Sequence, residues 1–312
     1  MNKVPLGRTT LRVTRLGLGT APLGGLFEAV SDDEAHRVVE AAWQAGMRFF
    51  DTAPLYGHGL AEQRLGTVLR TKPRDEFVLA SKVGRLLRAD APPEPGQAYK
   101  GVPPVNPVFD FSYDGVMRSV EESLRRFGLD RIDVLHIHDP DEHYDEAVGG
   151  AYRALDRLRA EGSIKAVGAG MNQAEMLARF ARDADFDCFL LAGRYTLLDR
   201  TGERDLLPLC VEKNIAIIAG GVFNSGILAD PRPGATFDYQ AAPTELVHKA
   251  QRLREICAAH GVALKAAAIQ FPLRHPAVPI VLTGCRTVAE VEENVRMFQT
   301  PVPDELWREL DA

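Results

Sequence analysis

The sequence lacks the features that mark several specialised classes of protein. Lysine and arginine number 37 against 43 aspartate and glutamate, a net charge of −6, so no basic excess exists for nucleic acid or an anionic membrane. No apolar run approaches the length of a membrane span, and the N-terminus opens no apolar signal region. We therefore expect no nucleic acid and no membrane among its partners.

Cysteine is also scarce. The four cysteines, at 188, 210, 257 and 285, lie far apart and form no CxxC pair. Such scattered residues are typical of buried thiols in a reducing compartment rather than of a disulfide framework. The sequence therefore predicts a cytoplasmic protein and no metal site.

What the chain does contain is ample apolar sequence in short, regularly spaced runs. Hydrophobic residues make up 46% of its 312 positions, enough for a substantial core. Eight short apolar runs, each followed by an amphipathic helical pattern, are predicted as strands. They lie at 16–20, 47–51, 77–82, 132–138, 164–168, 188–191, 215–219 and 278–282.

This alternation predicts the architecture. Fully apolar strands suit a parallel sheet buried on both faces, and eight strand–helix units that close on themselves form a (β/α)8 TIM barrel. A doubly wound sheet is the alternative, but no GxGxxG lies between a strand and a helix, and Gly17-Leu18-Gly19 is only a fragment. With no evident linker, we expect a single α/β domain over 1–312.

Additions at both ends of the barrel are expected. The segment 3–14 has the pattern of an N-terminal β-hairpin with a turn at 7–9. Two long loops rich in proline and glycine, 84–111 and 220–242, follow the C-terminal ends of strands. Barrel enzymes bind substrates at that face, so these loops are predicted to form the walls of a pocket.

Four polar residues lie at or just beyond strand ends: Asp51, Tyr56, Lys82 and His138. In a barrel these ends converge on one mouth. A lysine that closes an apolar strand needs a carboxylate partner, and Asp51 is the natural one. A neighbouring ammonium favours tyrosinate, so we expect Lys82 to lower the pKa of Tyr56 and suit it to proton transfer.

Each of these residues has a simpler interpretation when taken alone. An acid at a strand end often caps a loop, a tyrosine beside glycine usually packs, and a loop lysine is usually solvated. His136 and His138 alternate along one strand and point the same way, so the pattern alone allows either to face the mouth. The order and strand-end placement of the set together favour a catalytic site.

Nearly the whole chain resembles the aldo-keto reductase family. The matching motifs are the N-terminal hairpin, Phe50-Asp51-Thr52-Ala53 with Tyr56-Gly57, Ser81-Lys82, His138-Asp139-Pro140, and the run from Gly284 to Asn294. The resemblance implies a (β/α)8 barrel, a nicotinamide cofactor held without a Rossmann domain, and a catalytic tetrad of Asp51, Tyr56, Lys82 and His138. Alignment on the proline selects His138 over His136.

The resemblance also implies a set of cofactor contacts. Asn172 matches the asparagine that holds the nicotinamide carboxamide, although Met171 replaces the usual serine. Phe223 lies near the position of the aromatic ring that commonly stacks on nicotinamide, which falls on a glycine here. The full implied set is Gly19, Thr20, Asp51, Asn172, Tyr195, Phe223, Asn224, Ser225, Gly226, Leu228, Gly284, Arg286, Glu290, Glu293 and Asn294.

The adenosine end of the cofactor site favours NAD over NADP. Members that prefer NADP carry a basic residue four positions before the asparagine that matches Asn294, and this chain has Glu290 there. An acid would repel a 2′-phosphate and could accept a hydrogen bond from a ribose hydroxyl. Arg286 is basic and would instead attract the 2′-phosphate of NADP. We expect NAD to be used at least as well as NADP.

Two glycine-containing segments, 168–172 and 220–226, are similar to one branch of the family. That branch contains the L-fucose, L-galactose and D-threo-aldose 1-dehydrogenases and pyridoxal 4-dehydrogenase, which oxidise a cyclic hemiacetal to a lactone. The expected substrate is a small molecule, an aldose of the L-fucose, D-arabinose or L-galactose type, or pyridoxal. The alternatives are a general NADPH-dependent aldehyde or ketone reductase, a non-catalytic binding module, and a metal-dependent hydrolase built on Asp51, His136 and His138.

Candidate substrate neighbours are Leu55, Tyr56, His58, Phe109 and His138, all close to the tetrad or on the first long loop. The sequence carries no heptad repeat and no long exposed apolar helix. We therefore expect a monomer or a weak homo-oligomer.

Overall fold

The computed structural model describes residues 1–93, 96 and 98–311, and their central feature is a closed barrel of eight parallel strands. Each strand pairs with the next one along the chain, and the eighth pairs with the first. The prediction of a (β/α)8 barrel is therefore confirmed. The strands, in order, are Leu16–Gly19, Phe49–Asp51, Val78–Val83, Val134–His138, Ala166–Met171, Cys188–Ala192, Ala216–Gly220 and Ile280–Gly284.

The predicted N-terminal hairpin is present and closes the barrel floor. Its strands, Lys3–Pro5 and Arg12–Thr14, pair antiparallel. Leu6 and Val13 are fully buried and belong to the apolar cluster that fills the barrel interior. Because the hairpin covers the N-terminal ends of the strands, the opposite face is the open one.

Helices surround the barrel and begin where the sequence places capping residues. The Ser31 and Ser112 hydroxyls accept hydrogen bonds from the backbone N–H groups of Glu34 and Gly115 and act as N-caps. The α-helices are Asp32–Gln44, Leu60–Leu69, Tyr113–Phe127, Tyr144–Glu146, Arg153–Ala160, Ala174–Asp183, Leu206–Lys213, Thr244–Ala259, Leu264–Gln270, Val288–Gln299 and Asp304–Asp311, and Ala147–Tyr152 is a π-helical segment.

Some boundaries differ from the sequence prediction. The fifth strand runs from Ala166 to Met171, three residues beyond the predicted end, because glycines at 168 and 170 made the strand pattern look finished. The final helix, Asp304–Asp311, was not predicted. Its short length hides its periodicity, although Leu306 and Leu310 lie on one buried face.

Both long loops contain short hairpins that the sequence did not predict. In the first loop Arg85–Arg88 pairs antiparallel with Asn106–Phe109, and in the second Thr236–Phe237 pairs with Gln240–Ala241. Proline and glycine around these strands mask their alternation. The first hairpin brings Arg85 opposite Phe109 at the open face of the barrel.

Among the described residues, no single helix has both the length and the apolar composition of a membrane span. One helix pair, Thr244–Ala259 with Leu264–Arg274, passes by length and composition when taken together, across a bend of 100°.

Candidate active site

The C-terminal ends of the second, third and fourth strands place three polar side chains in the open end of the barrel. Asp51 ends the second strand and pairs with Ala80, and Lys82 follows Ala80 by two residues on the third. Lys82 in turn pairs with His136, and His138 is the last residue of the fourth strand. Because residues two apart in a strand share a face, all three side chains point into the barrel.

Lys82 and Asp51 form a buried ion pair. The Lys82 ammonium donates to Asp51 Oδ1 at 2.7 Å and to the Thr52 carbonyl oxygen at 2.8 Å. Both side chains are almost fully buried, with exposed fractions of 1% and 4%. Burial raises the pKa of Asp51, and the Lys82 charge opposes that shift. The predicted pairing of these residues is therefore present.

Tyr56 is held over this pair by a close contact between two loops. A Cβ on Gly57 would lie 2.3 Å from the Gly24 carbonyl oxygen, and Gly57 also has a φ of 62°. Only glycine fits this approach. The Tyr56 ring centroid lies 4.6 Å from Lys82 Nζ and 5.9 Å from the ring of His138.

The expectation that Lys82 lowers the pKa of Tyr56 is wrong for the protein alone. Burial raises the pKa of Tyr56 well above its ordinary value, and the charge of Asp51 raises it further. Asp51 lies within hydrogen-bond distance of Lys82 and offsets its field, so the ammonium does not act on the phenol as an isolated charge. Tyr56 is therefore a neutral phenol at pH 7.

The structure separates the two histidines of the fourth strand. His138 lies edge-on to Tyr56, and its Nδ1 is buried without a hydrogen-bond partner among the described residues. His136 lies deeper, against Gly168, where an added Cβ would come 2.2 Å from its Nδ1. Burial and the charge of Lys82 lower the pKa of both histidines, so both are neutral. His138 is therefore the histidine that faces the mouth beside Tyr56.

A cavity of about 710 Å³ adjoins this cluster and has the size of a small-molecule site. Asp51 and Tyr56 form its inner end, and Asp51 Oδ2 is buried there with no hydrogen-bond partner among the described residues. Of the predicted cofactor contacts, those that line it are Gly19, Thr20, Asp51, Asn172, Phe223, Asn224, Ser225, Gly226, Gly284 and Arg286.

The cavity wall fits an extended dinucleotide. Its many glycines let a ligand approach the backbone, and Asn224, Ser225 and Gly226 have left-handed φ values of 45°, 58° and 105°. Of the backbone N–H groups in this turn, those of Asn224 and Gly226 already donate to the Gly221 and Phe223 carbonyls. The Asn224 side chain is already engaged, since its amide donates to the Gly193 carbonyl and accepts from the Thr196 hydroxyl.

Two predicted cofactor contacts lie away from the cavity. The Tyr195 ring packs against Phe271, with centroids 5.1 Å apart, and is almost fully buried. Leu228 is completely buried in the apolar core. Neither lines the cavity, so neither side chain supplies a contact within it. The loop after the sixth strand turns at Gly193, whose φ is 71°, two residues before Tyr195.

The three acidic and amide residues beyond the eighth strand lie outside the cavity lining. The Glu290 carboxylate accepts a hydrogen bond from the backbone N–H of Arg286 at 2.6 Å, and Glu293 forms an ion pair with Lys265. Asn294 is buried and donates to the Cys285 sulfur. Their roles at the adenosine end of the cofactor stay predictions.

On the substrate side, the predicted neighbours have different environments. Leu55 is half-buried beside Tyr56, and His58 is buried and hydrogen-bonds the Val105 carbonyl. Phe109 is 42% exposed, and its ring packs over the Arg85 guanidinium, whose central carbon lies 4.3 Å from the ring centroid.

Several aromatic residues at the mouth were not singled out from the sequence. Phe27 and Tyr239 line the cavity, and their rings lie 6.3 Å apart across its opening. The Tyr239 phenol lies beside Asn172, and the ring of Tyr99 lies 6.2 Å from that of Tyr56. The sequence signal that could have identified Tyr99 and Tyr239 is their position in the two loops predicted to form the pocket walls.

Within the part of the chain that the structure describes, no three histidine, cysteine, aspartate or glutamate residues are grouped to hold a metal ion. Asp51, which a metal-dependent mechanism would require, is committed to the Lys82 ammonium.

Comparisons with known proteins give a consistent result. Residues 15–312 match the model of the aldo/keto reductase family. Pyridoxal 4-dehydrogenase of Microbacterium luteolum is 45% identical, with 99% of this chain and 96% of the relative covered. D-threo-aldose 1-dehydrogenase of a Pseudomonas species is also 45% identical, with 96% and 94% covered. An aldo-keto reductase of Bacillus halodurans in its holo form superposes with a TM-score of 0.79 at 26% identity, covering 100% of this chain and 95% of that one.

Proposed function

The chain belongs to the aldo/keto reductase family and is an oxidoreductase, and from this premise we propose that it oxidises the anomeric hydroxyl of an aldose to a lactone. The observation that carries the proposal is the placement of the half-buried Tyr56 over the buried Lys82–Asp51 pair and beside a neutral His138. This arrangement brings one proton-transfer group and one hydrogen-bond donor to the same substrate oxygen.

Enzymes of this family use NAD or NADP, which when bound supplies the hydride acceptor of the oxidation. Asp51, with its unpaired buried Oδ2, is placed to accept a hydrogen bond from a ribose hydroxyl. Asn172 would hold the carboxamide, and the glycines at 220, 221 and 226 would let the rest of the cofactor approach the backbone of the cavity wall.

Tyr56 is proposed as the group that exchanges a proton with the substrate. In oxidation its phenolate accepts the proton of the anomeric hydroxyl, and in reduction the phenol donates one to a carbonyl oxygen. Because burial and Asp51 raise its pKa, the phenol is the resting form at neutral pH. Oxidation should therefore be faster at alkaline pH than at pH 7.

His138 is proposed to orient the reacting oxygen. Burial and the Lys82 charge lower its pKa, so it is neutral and carries a proton on only one ring nitrogen. A neutral imidazole can donate one hydrogen bond to the substrate oxygen and fix its position against Tyr56. Lys82 and Asp51 support Tyr56 from below, where Lys82 Nζ lies 4.6 Å from its ring centroid.

Pyridoxal in its hemiacetal form is the second candidate substrate. The support is the relative from Microbacterium luteolum, which is as similar to this chain as the aldose dehydrogenase is. A general aldehyde or ketone reductase would use the same four residues in the reverse direction. A binding module without activity does not explain why all four polar groups converge.

We also propose that NAD is used at least as well as NADP. The Glu290 carboxylate is fixed by the Arg286 backbone and adds negative charge near the end of the eighth strand. Arg286 itself forms an ion pair with Glu28 at 3.5 Å, which offsets part of its attraction for a 2′-phosphate.

A cytoplasmic location is proposed on separate grounds. All four cysteines are free thiols buried in the fold, which suits a reducing compartment.

The test of the substrate proposal is the initial rate of NADH and NADPH formation at about pH 9, where the Tyr56 phenolate is more populated. L-Fucose, D-arabinose, L-galactose and pyridoxal form the panel. Strong NAD reduction with one aldose is the expected result. Activity with pyridoxal alone would assign the protein to vitamin B6 oxidation, and NADPH-driven reduction of simple aldehydes without oxidation would return it to the general reductases.

A further inference from the structure

Asp139 directly follows His138 and is held in an uncommon backbone conformation. Its φ is 43°, in the left-handed region that non-glycine residues rarely adopt. Its backbone N–H donates to the Gly170 carbonyl of the neighbouring strand at 3.1 Å, which fixes this turn against the barrel. Strained residues of this kind persist where the surroundings hold them, and they concentrate at functional sites.

One carboxylate oxygen of Asp139 accepts a hydrogen bond from Arg85 and lies near His138. Its Oδ2 lies 3.3 Å from the Arg85 guanidinium and 3.4 Å from His138 Nε2. Arg85 packs beneath the ring of Phe109, opposite which it lies in the first loop hairpin. The hairpin therefore delivers an arginine that holds this carboxylate in place.

The other oxygen of Asp139 has no such partner. Oδ1 makes no hydrogen bond with the described residues, and about one third of the side chain, 33%, is exposed. The carboxylate lies close enough to the phenols of Tyr56, Tyr99 and Tyr239 for its charge to raise the pKa of each. It also lies beside His138, whose ring is edge-on to that of Tyr56 at 5.9 Å.

We propose that Asp139 is a specificity-determining residue, whose carboxylate accepts a hydrogen bond from the hydroxyl on the carbon next to the one oxidised. The inference rests on the proposed aldose oxidation and identifies the C2 hydroxyl as the group of the aldose that the site recognises. In a sugar, the hydroxyl of C2 lies within hydrogen-bond reach of the oxygen on C1. An oxygen held at His138 Nε2 therefore brings its C2 neighbour next to Asp139, 3.4 Å from that nitrogen.

The recognition predicts a preference that a merely apolar pocket would not give. A bound 2-deoxy sugar would displace water from the Asp139 carboxylate without offering it a hydroxyl donor. The carboxylate would then be partly desolvated and unpaired, which weakens binding of that sugar. A 2-deoxy sugar should thus be a poorer substrate than its 2-hydroxy counterpart by about 10- to 100-fold in kcat/KM.

The test is a cycle of two enzymes and two substrates, run at saturating NAD. D-Arabinose and 2-deoxy-D-ribose differ only by the C2 hydroxyl. In Asp139→Ala, which removes both acceptor oxygens, we expect kcat/KM for D-arabinose to fall by at least about tenfold, mainly through KM, while the value for 2-deoxy-D-ribose changes less than about threefold. The ratio of the kcat/KM values for the two sugars should therefore fall toward one.

The cycle distinguishes loss of the contact with the C2 hydroxyl from an indirect effect on His138. Asp139 also lies against His138, so a variant that merely disturbs the histidine would lose the same factor with both sugars, and that result would overturn the proposal. Equal activity of Asp139→Ala and the wild type on D-arabinose would overturn it as well. Asp141→Ala, two positions further on and hydrogen-bonded to Gln173 instead, is the matched control and should leave both values unchanged.

Failure of the proposed aldose oxidation gives a different result from failure of the Asp139 assignment alone. If the wild-type enzyme oxidises neither sugar but reduces simple aldehydes, the proposed aldose oxidation fails and the assignment of Asp139 fails with it. If it oxidises D-arabinose and shows no preference over 2-deoxy-D-ribose, only the assignment of Asp139 fails.

Discussion

Lys82 Nζ lies 2.7 Å from Asp51 Oδ1, and neither side chain has more than 4% of its surface exposed. The pair is the only charge compensation that either group receives from a side chain of the described residues, since the second acceptor of Lys82 is the Thr52 carbonyl. A buried pair of this kind costs free energy to desolvate, and removing one partner leaves an uncompensated charge.

The first prediction concerns this pair. Asp51→Asn should reduce the free energy of unfolding by about 3–5 kcal/mol, because the Lys82 ammonium then stays buried without its carboxylate. Urea unfolding followed by circular dichroism measures the change.

The double variant Asp51→Asn/Lys82→Met should regain most of the stability without regaining activity. Asp75→Asn, which breaks an exposed pair with Arg131, should cost less than about 1 kcal/mol. An Asp51→Asn protein as stable as the wild type would refute the buried-charge account.

The second prediction concerns Tyr56. Tyr56→Phe should lower turnover by at least about 10²-fold, because the variant has no group to exchange a proton with the substrate oxygen. The dissociation constant for NAD, measured by quenching of protein fluorescence, should change little. Tyr99→Phe removes a neighbouring phenol whose ring lies 6.2 Å from that of Tyr56, and it should retain most of the turnover. Unchanged turnover in Tyr56→Phe would remove Tyr56 from the mechanism.

Two glycines of the fifth strand provide a matched pair for the third prediction. A Cβ on Gly168 would lie 2.2 Å from His136 Nδ1 and 2.8 Å from the Cys188 carbonyl oxygen, whereas on Gly170 the nearest atom would be 3.5 Å away. Gly168→Ala should destabilise the protein by about 1–3 kcal/mol. Gly170→Ala should be neutral within about 1 kcal/mol. Equal effects in denaturant unfolding would show that His136 does not occupy the space beside Gly168.

The fourth prediction concerns acid stability. Burial and the Lys82 charge lower the pKa of His136 to about 3, against about 6.5 in an unfolded chain. Between these values the unfolded state binds a proton that the folded state does not, so the free energy of unfolding falls as the pH falls. From pH 7.5 to 5 the loss should be about 2 kcal/mol for this histidine.

His138, whose pKa is also lowered, adds a second loss of the same sign. His136→Leu should therefore flatten the dependence of unfolding on pH by about half, as measured by urea midpoints at the two pH values. A variant with the slope of the wild type would show that His136 takes up its proton without unfolding.

The fifth prediction tests the cofactor preference. The wild type should use NAD at least as well as NADP, and Glu290→Gln should lower the KM for NADP by about three- to tenfold through loss of repulsion. The Glu290 side chain also accepts from the Arg286 backbone, a bond that a glutamine oxygen can keep. Glu292→Gln, an exposed change in the same helix, is the control. A kinetic preference of the wild type for NADP of tenfold or more would contradict the assignment of Glu290.

Much of the fold follows from local sequence. The eight strands were predicted because each is a short apolar run buried on both faces, and the helices between them because an amphipathic pattern follows each run. The meeting of Asp51 with Lys82 was predicted because strand ends converge at one face of a barrel. These properties depend on residue type and spacing over a few positions.

Other properties depend on contacts between distant segments. The ring of Tyr195 packs against Phe271, 76 positions further along the chain, rather than lining the cavity. The pKa of Tyr56 rises because burial and Asp51 outweigh the ammonium of Lys82, a balance that no spacing in the sequence reveals. Periodicity gives the face of a strand residue, but it does not give the direction of a loop side chain or its dielectric environment.

The sequence by itself therefore determined the barrel, the order of its strands and the four polar groups at its open end, because apolar periodicity and strand-end position are encoded locally. Only the tertiary structure decided that Arg85, carried by an unpredicted hairpin, meets Asp139 beside His138. That contact joins residues 54 positions apart, and its geometry depends on the packing of the whole face rather than on either segment alone.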